Sequence, residues 1–436
     1  MAITLLHLSD IHFKHYINDT AVFDLDNDVR SSLERDLTSL IPQHGKIDAV
    51  LIGGDIAFSG TPEEYAVADQ WIAKICSIVH CDKEYVFPVP GNHDIHRSSI
   101  SEIVSEIQQK VKTLTKRNDI DTTLEKYLKD SRMMATIIAP LTNYDSFAQK
   151  YGGSLSENRS LYWEKELNDG QNLIVKIKGI NSALFSNNHD HPTTSPLIIG
   201  TAQCTIGPEE NKLNVILCHH PPSWLADGAQ IQHDMCERAS LLLFGHVHTL
   251  EIQRIDDTIM VSAGALQPER NDLNWIPSYN IINLSLPSSA AAHHVSITIW
   301  KRVWDRQQMR FVSGSSGQPS PSVSYTVPLK YPDQLPVEMI AAGDTLIQEA
   351  MAETPEIVRT NSPDPMRALA FRFLALPYHI KVRIAANLNL IQESDRDLSD
   401  GERNIAYFER VRTAGKSKDL WDQINAETGE SDPNPF

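Results

Sequence analysis

The sequence has little positive charge for its length. Its 39 Lys and Arg residues are outnumbered by 56 Asp and Glu residues, which leaves a formal net charge of −17. A protein of this charge has no general electrostatic attraction to nucleic acid or to an anionic membrane surface. Nucleic acid is therefore a disfavoured partner and a membrane is not expected, although bound cations can locally invert the field around a site.

Cysteine and long apolar runs are also scarce. The five cysteines are an odd number and form no C-x-x-C pair, which argues against a disulfide framework or a thiolate zinc site and favours a reducing compartment. No apolar run approaches the roughly 20 residues that a membrane helix needs. The first nine residues have no basic n-region, so they are predicted to be a strand and not a signal peptide. We therefore expect a cytoplasmic location.

The length of 436 residues leaves room for two or three domains of about 150 residues each. From residue 1 to about 312, short apolar runs alternate with longer helical patterns, which is typical of an α/β fold. The predicted strands are Thr4–Leu8, Ala49–Ile52, Tyr85–Val89, Leu173–Ile180, Asn214–Cys218, Leu241–Phe244, Ile259–Val261, Tyr279–Leu284 and Val295–Val303. Several of them stop at Gly, Asp or His clusters, where the carboxyl end of a strand delivers side chains into a crevice.

A mainly helical insertion is predicted over residues 95–160. Its first helix has apolar residues at amphipathic spacing, namely Ile100, Ile103, Val104, Ile107 and Val111. Because the insertion directly follows one of the polar clusters, we expect it to cap the cleft and to select the substrate.

The composition changes after residue 312. Residues 313–336 are rich in Ser, Pro and Gly and are predicted to be an extended linker with some turns. Residues 337–436 have helical patterns and are predicted to be a small all-α domain with 11 Lys and Arg against 17 Asp and Glu. Its pattern from Leu388 to Ile424 is similar to small helical adaptor modules of bacterial conflict and signalling proteins. We expect this domain to recruit a protein partner or to self-associate.

Five polar clusters follow the predicted strands. They are Asp10-Ile-His12, Gly54-Asp55, Gly91-Asn92-His93-Asp94, His219-His220-Pro221 and Gly245-His246-Val-His248. Each cluster by itself has an ordinary explanation as a turn or as polar residues on a loop. Together they supply Asp, Asn and His donors without a thiolate, a set that suits Mn, Fe, Zn or Ni. A single Asp between two His-bearing clusters can bridge two such cations.

These five motifs resemble those of the calcineurin-like metallophosphoesterase family over residues 1–312. The resemblance implies a four-layer αββα sandwich with two divalent metal ions at the strand ends. It implies a first metal held by Asp10, His12, Asp55 and His248, and a second metal held by Asp55, Asn92, His219 and His246. The identity of the metals stays open among Mn, Fe, Zn and Ni.

The residues around these ligands have less specific expectations. By resemblance, His93 hydrogen-bonds the phosphate or protonates the leaving group, while His220 lies behind the ligand His219 and beside the substrate. Asp94 either orients a neighbouring histidine or serves as a turn or N-cap residue. Arg97 and Arg270 follow the motifs closely enough to contact a phosphate, although ordinary surface roles are open for both.

Other histidines are expected to have structural roles. His7 alternates with leucines in a strand and is expected to pack in the core. His189 and His191 lie in a predicted loop that either lines the cleft or is solvated, and solvation is the favoured interpretation.

The leading functional hypothesis is dinuclear metal-dependent hydrolysis of a phosphodiester of nucleotide type. Divalent cations lower the pKa of bound water towards neutrality, and an imidazole, whose ordinary pKa is about 6.5, can act as the acid for the departing alkoxide. The H-H-P-P and G-N-H-D forms resemble the cyclic-nucleotide phosphodiesterase branch more than the protein phosphatases. Two alternatives stay open: a nuclease gated or recruited through the C-terminal domain, and a non-catalytic adaptor with a vestigial metal site.

Overall fold

The computed structural model describes the chain in two compact units, residues 1–334 and 335–436. The residues described are 2–15, 25–155, 161–267, 275–286, 293–314, 322–331, 369, 372–373, 376, 378–392, 400–428 and 435. Each unit is described by itself below.

The first sheet has seven strands among the residues that the structure describes. They are β1 (Ala2–Leu8), β2 (Ala49–Ile52), β3 (Val86–Pro88), β10 (Ser278–Ser285), β11 (His294–Asp305), β12 (Arg310–Ser313) and β13 (Ser322–Pro328). The order is β12-β11-β10-β1-β2-β3, and β13 also pairs with β11. Strands β1, β2 and β3 are parallel, with Leu8 beside Ile52 and Ile52 beside Pro88. Their carboxyl ends therefore lie at one edge of the sheet.

The second sheet has six strands in the order β4-β5-β6-β7-β9-β8. They are β4 (Tyr162–Asn168), β5 (Ile174–Ile180), β6 (Lys212–Cys218), β7 (Leu241–Phe244), β8 (Glu251–Ile255) and β9 (Thr258–Ser262). The four central strands are parallel, while β4 and β8 are antiparallel strands at the edges. The near-continuous apolar run of β7 is typical of a strand that is buried on both faces.

The two sheets pack face to face between two layers of helices. In β7, Leu241 and Leu243 belong to the core between the sheets, whereas Leu242 and Phe244 pack beneath α7 (Thr201–Cys204) and α8 (Gly228–Arg238). Leu6 of β1 packs on the opposite outer face, beneath α1 (Leu25–His44) and α2 (Pro62–Val79). This alternation follows from the two-residue period of a strand. The expected αββα sandwich is confirmed.

In its described residues, 95–155, the predicted insertion contains four α-helices. They are α3 (Glu102–Lys112), α4 (Arg117–Lys129), α5 (Ser131–Ile138) and α6 (Thr142–Ala148). Helix α3 begins at an N-cap, Ser101, whose side chain accepts a hydrogen bond from the Val104 amide. Val104, Ile107 and Val111 are buried as expected, but Ile103 is 61% exposed. The buried stripe of α3 therefore excludes Ile103.

Strand β13 lies inside the segment 313–336 that composition indicates to be a linker. It pairs with β11 from Trp300 beside Ser322 to His294 beside Pro328, and Val327 is fully buried between the sheets. The first compact unit extends to Gln334. The Ser-rich composition conceals this strand because its stability comes from pairing with the long strand β11, which is a tertiary contact.

The second unit is helical in its described part. Its helices are α9 (Tyr378–Asn387), α10 (Asp400–Thr413) and α11 (Ser417–Thr428). They enclose a separate small core that includes Ile384, Tyr407, Val411 and Trp421. Among all described helices of the chain, none is long and apolar enough to cross a membrane.

Candidate metal centre

Five loops meet at the carboxyl ends of the central strands. Each loop begins where a buried parallel strand stops, after β1, β2, β3, β6 and β7. Backbone hydrogen bonds join the loops, since the Asp10 amide donates to the Gly54 carbonyl and the Gly245 amide donates to the His219 carbonyl, each at 3.0 Å. The structure thereby brings together the residues that the sequence predicts to be metal ligands, namely Asp10, His12, Asp55, Asn92, His219, His246 and His248.

Five of these seven residues have a left-handed backbone conformation. The φ angles are 53° for Asp10, 50° for His12, 51° for Asp55, 67° for His246 and 53° for His248. Non-glycine residues adopt this region rarely, since each instance costs on the order of 1–3 kcal/mol and persists only where the surrounding structure imposes it. Such strain concentrates at functional sites, which supports a functional role for this cluster.

The first group of donors consists of Asp10, His12 and His248, with Asp55 beside it. The Nε2 atom of His248 lies 3.4 Å from Oδ1 of Asp10, and Nε2 of His12 lies 3.8 Å from Oδ2 of Asp55. His12 is 3% exposed, and neither of its ring nitrogens has a hydrogen-bond partner in the described part of the chain. A buried imidazole without a hydrogen bond is unfavourable in the absence of a ligand.

The second group surrounds the amide oxygen of Asn92. The Nδ1 atom of His219 lies 2.7 Å from the Gly53 carbonyl oxygen, a contact that assigns the proton to Nδ1 in the neutral ring. Its Nε2 then faces Asn92 Oδ1 at 3.2 Å and Asp55 Oδ2 at 3.4 Å. His246 lies beside them, with its ring centroid 5.2 Å from that of His219.

His220 also reaches this second group. Its Nδ1 lies 2.8 Å from Ser182 Oγ, and its Nε2 lies 3.2 Å from Asn92 Oδ1, the same distance as Nε2 of His219. Donor atoms of His219, His220 and His246 lie close enough to share one ion. The sequence expectation placed His220 behind His219, whereas here both rings point at the same amide oxygen.

Both groups fit divalent cations. Two ligands that each lie about 2.1 Å from one cation, at an angle of roughly 90–110°, are about 3.0–3.4 Å apart. The separations at Asn92 Oδ1 and at the two carboxylates, which run from 3.2 to 3.8 Å, are close to this range. The donor chemistry, imidazole nitrogen with carboxylate and amide oxygen, also suits such cations.

Burial and charge set the protonation of these groups. Burial lowers the pKa of His12 to about 4 and the pKa of His246 to about 3. Burial also acts against a charged His219, but the Asp55 carboxylate outweighs it and raises the pKa of His219 to about 9. The pKa of Asp55 is well below its ordinary value because the charge of His219 outweighs burial. His12 and His246 are therefore in the neutral form that binds metal, whereas His219 must lose a proton.

Asp94 holds the loops of the site together. Its carboxylate accepts hydrogen bonds from the backbone amides of Ile56, Ala57 and Gly91 at 3.2, 3.0 and 2.9 Å, and from the Tyr65 hydroxyl at 2.9 Å. Burial and the nearby Asp55 carboxylate raise the pKa of Asp94 to about 6. The structure thus gives Asp94 backbone partners on the loop of Asp55, in place of the histidines suggested by sequence.

His93 lies at the rim of the site. Its amide donates to Asp55 Oδ1 at 2.8 Å, and its ring Nδ1 lies 2.8 Å from the Phe58 carbonyl oxygen. The ring packs edge-on against His12, with centroids 4.6 Å apart. The contact with Phe58 orients the ring and leaves Nε2 as the nitrogen available to a substrate.

The remaining predicted residues lie elsewhere. Arg97 is exposed and lines a cavity together with His189. His191 is exposed and its ring contacts Thr193. His7 is fully buried in β1, as expected for a core residue. Arg270 lies outside the described residues.

Sequence reasoning missed two side chains at the site. The hydroxyl of Ser9 donates to Asp10 Oδ2 at 2.5 Å, and the ring of Trp224 packs edge-on against His246 with centroids 4.1 Å apart. Both were detectable in principle, since Ser9 precedes the first motif and Trp224 follows His219-His220-Pro-Pro by two positions. Gly91 belongs to the third polar cluster, but the sequence analysis gives it no role of its own. A Cβ atom at position 91 would collide with the Asp55 carboxylate, so the site requires glycine there.

The sandwich fold and the cluster of Asp and His donors at the strand ends are those of a metal-binding phosphoesterase. Residues 3–250 match the calcineurin-like phosphoesterase family, and the chain belongs to that family. Residues 365–426 match the GTPase-associated adaptor domain. No curated protein matches the chain.

Solved structures with low identity resemble the chain. Vacuolar protein sorting 29 from Cryptosporidium parvum is 11% identical with a TM-score of 0.33, covering 75% of this chain and 98% of its own. A conserved predicted phosphoesterase from Streptococcus pneumoniae is 12% identical with a TM-score of 0.29, over 75% and 98% of the two chains. GAP50, an anchor in the inner membrane complex of Plasmodium, is 9% identical with a TM-score of 0.38, over 83% and 99%.

Proposed function

We propose that this protein is a dinuclear metal-dependent phosphohydrolase that acts on phosphodiesters of nucleotide type. The observation that carries the proposal is the shared position of Asp55, whose carboxylate lies between a first group (Asp10, His12, His248) and a second group around Asn92. One carboxylate between two histidine-bearing groups is the arrangement that two neighbouring cations require.

The proposal assigns the metal ligands as the sequence predicts them. Asp10, His12, Asp55 and His248 would hold the first cation, and Asp55, Asn92, His219 and His246 the second. His220 is an additional candidate for the second cation, because its Nε2 lies as close to Asn92 Oδ1 as that of His219. When bound, such cations supply Lewis acidity and make hydroxide available at neutral pH.

Residues of the chain supply the remaining functions. His93, oriented through Phe58, would present Nε2 to the leaving-group oxygen and, as the doubly protonated imidazolium, donate its Nε2 proton to it. Asp94 would hold the loop of Asp55 against the loop of Asn92 through its three backbone hydrogen bonds.

The preference for a diester is supported by the H-H-P-P and G-N-H-D motif forms, which resemble the cyclic-nucleotide phosphodiesterase branch. A nuclease recruited through the C-terminal domain is the second candidate. The net charge of −17 argues against it, because binding to a polymeric phosphate backbone draws on clustered Lys and Arg.

The test compares a diester with a monoester. Metal-stripped full-length protein is refilled with manganese and assayed on bis(p-nitrophenyl) phosphate beside p-nitrophenyl phosphate. We expect turnover with preference for the diester, loss of turnover in Asp55→Asn, and retention in Asp82→Asn, an exposed control that makes the same chemical change. Absence of turnover with Mn, Fe, Zn and Ni, despite bound metal, would favour the adaptor with a vestigial site.

The C-terminal unit is proposed to recruit a protein partner or a second copy of the chain. The match to an adaptor domain over residues 365–426 supports this role. We also propose a cytoplasmic location, supported by five cysteines that are all free thiols. Size-exclusion chromatography with and without residues 337–436 tests self-association, which predicts a larger species only when those residues are present.

A further inference from the structure

A cavity of about 600 Å³ lies between α3 and the loop 187–195. Its volume is within the range of small-molecule sites. Its lining includes the side chains of Arg97, Gln108, Gln109, Lys112, Asn188 and His189.

The walls of the cavity are fixed by buried polar contacts. Lys112 forms an ion pair with Asp190, and their side chains are only 7% and 8% exposed. Asp190 also accepts a hydrogen bond from the Asn187 amide at 3.0 Å, and Gln108 donates to the Ser186 carbonyl at 3.1 Å. Helix α3 and the loop are therefore joined before any ligand binds, which lowers the entropic cost of binding.

The same loop leads directly to the metal centre. Four residues before Ser186, Ser182 contacts Nδ1 of His220 at 2.8 Å. On the opposite wall, Arg97 is three positions after Asp94. A hydrogen bond from the Ser186 amide to the Ala183 carbonyl at 2.9 Å closes the turn between the contact at His220 and the wall of the cavity. The cavity and the metal centre are thus neighbours along one wall.

The chemistry of the lining favours a neutral polar group. The charge of Lys112 is balanced by Asp190, and Glu102 lies in the same lining as Arg97. Carboxamides such as Gln109 and Asn188 present a donor and an acceptor side by side, which matches the edges of nucleobases. Serine and threonine hydroxyls of the lining add partners for a sugar.

We propose that this cavity holds the nucleoside portion of a nucleotide-type phosphodiester whose phosphoryl group lies at the metal centre. The inference rests on the proposed function and names the part of the substrate that α3 and the loop 187–195 recognise. It assigns the helical insertion a direct role in substrate selection.

The first experiment measures selectivity in the manganese-loaded full chain. The ratio of kcat/KM for the p-nitrophenyl ester of thymidine 5′-monophosphate to that for bis(p-nitrophenyl) phosphate is determined. We expect the double variant Gln109→Ala/Asn188→Ala to lower this ratio about tenfold, because two carboxamide contacts are lost. The control Gln230→Ala, an exposed glutamine on α8, should leave the ratio unchanged.

The two proposals fail in different ways in this assay. Absence of turnover of both esters overturns the proposed function. Turnover of both, with a ratio that the double variant changes less than twofold, overturns the nucleoside site while the phosphohydrolase stands. Circular dichroism and thermal unfolding establish that both variants are folded.

A binding experiment needs no turnover. Equilibrium dialysis compares adenosine 5′-monophosphate with inorganic phosphate on the metal-loaded full chain. We expect the nucleotide to bind at least tenfold more tightly than phosphate, and the double variant to lose most of this difference. Equal affinities for nucleotide and phosphate in the unmodified chain would overturn the proposal.

Discussion

The coupling between His219 and Asp55 makes a quantitative prediction for the metal-free protein. Burial acts against a charged His219, but Asp55 raises the pKa of His219 to about 9, compared with an ordinary value of 6.5. This difference corresponds to about 3 kcal/mol in favour of the protonated ring in the folded state. The pKa is raised on folding, so this stability is present in full below pH 6.5 and is lost as the pH rises through 9.

The perturbation is the variant Asp55→Asn. It removes the negative charge of residue 55 and keeps a side-chain oxygen that can accept the hydrogen bond from the His93 amide. Burial is then opposed only by Asp10 and the Gly53 carbonyl, and we expect the pKa of His219 to fall below 9. The assay is an NMR titration of ¹⁵N-labelled histidine in the metal-free full chain, with the signal assigned through His219→Gln. Asp82→Asn is the matched control and should leave the midpoint near pH 9.

A second readout follows for metal binding. At pH 7 a His219 ring with a pKa of about 9 is protonated, whereas His12 and His246 are neutral. Metal binding should therefore release about one proton from His219, which calorimetry in buffers of different ionisation enthalpy measures. A midpoint near 6.5 in the unmodified protein, or a midpoint that Asp55→Asn leaves unchanged, would refute the assigned coupling.

Three further predictions concern the site and the fold. Gly91→Ala should abolish metal binding, measured as metal content, because its Cβ meets the Asp55 carboxylate, whereas Gly207→Ala, in open space, should retain it. Asp36→Ala should lower the free energy of unfolding in urea by about 3–5 kcal/mol, since it leaves buried Arg302 without its carboxylate; a loss below about 1 kcal/mol contradicts this. Manganese at 100 times its Kd should stabilise the unmodified chain by about 2.7 kcal/mol, seen as a higher Tm, and this gain should be absent in Asp10→Asn.

The buried parallel strands were the most predictable part of the fold. The predicted bounds of β2 and β7 agree with the structure, because both are short apolar runs buried on both faces. Strands β4 and β8 were missed. Both are edge strands with exposed charged residues, such as Glu164 and Glu251, so their sequences lack an apolar run. An edge strand is stabilised by its neighbour, and this information is absent from its own sequence.

The candidate site likewise has features that the sequence predicted and features that it did not. The motifs predicted which residue types gather at the strand ends, because parallel strands place their carboxyl ends at one edge of the sheet. They did not predict that Asp94 would bind backbone amides of the Asp55 loop, or that His220 would approach Asn92 as closely as His219 does.

The sequence by itself determined the order of the motifs, the chemistry of the donors, the α/β architecture and the change to a helical C-terminal unit. These properties depend on residue type and short-range spacing. Only the tertiary structure decided which atoms meet, as where the His246 amide donates to Asp10 Oδ2 at 3.1 Å across 236 positions of the chain. The cavity beside α3 is likewise formed by segments about 80 positions apart, which Lys112 and Asp190 join. Hydrogen bonds and ion pairs act over a few ångströms, so the folded path of the chain decides which of them form.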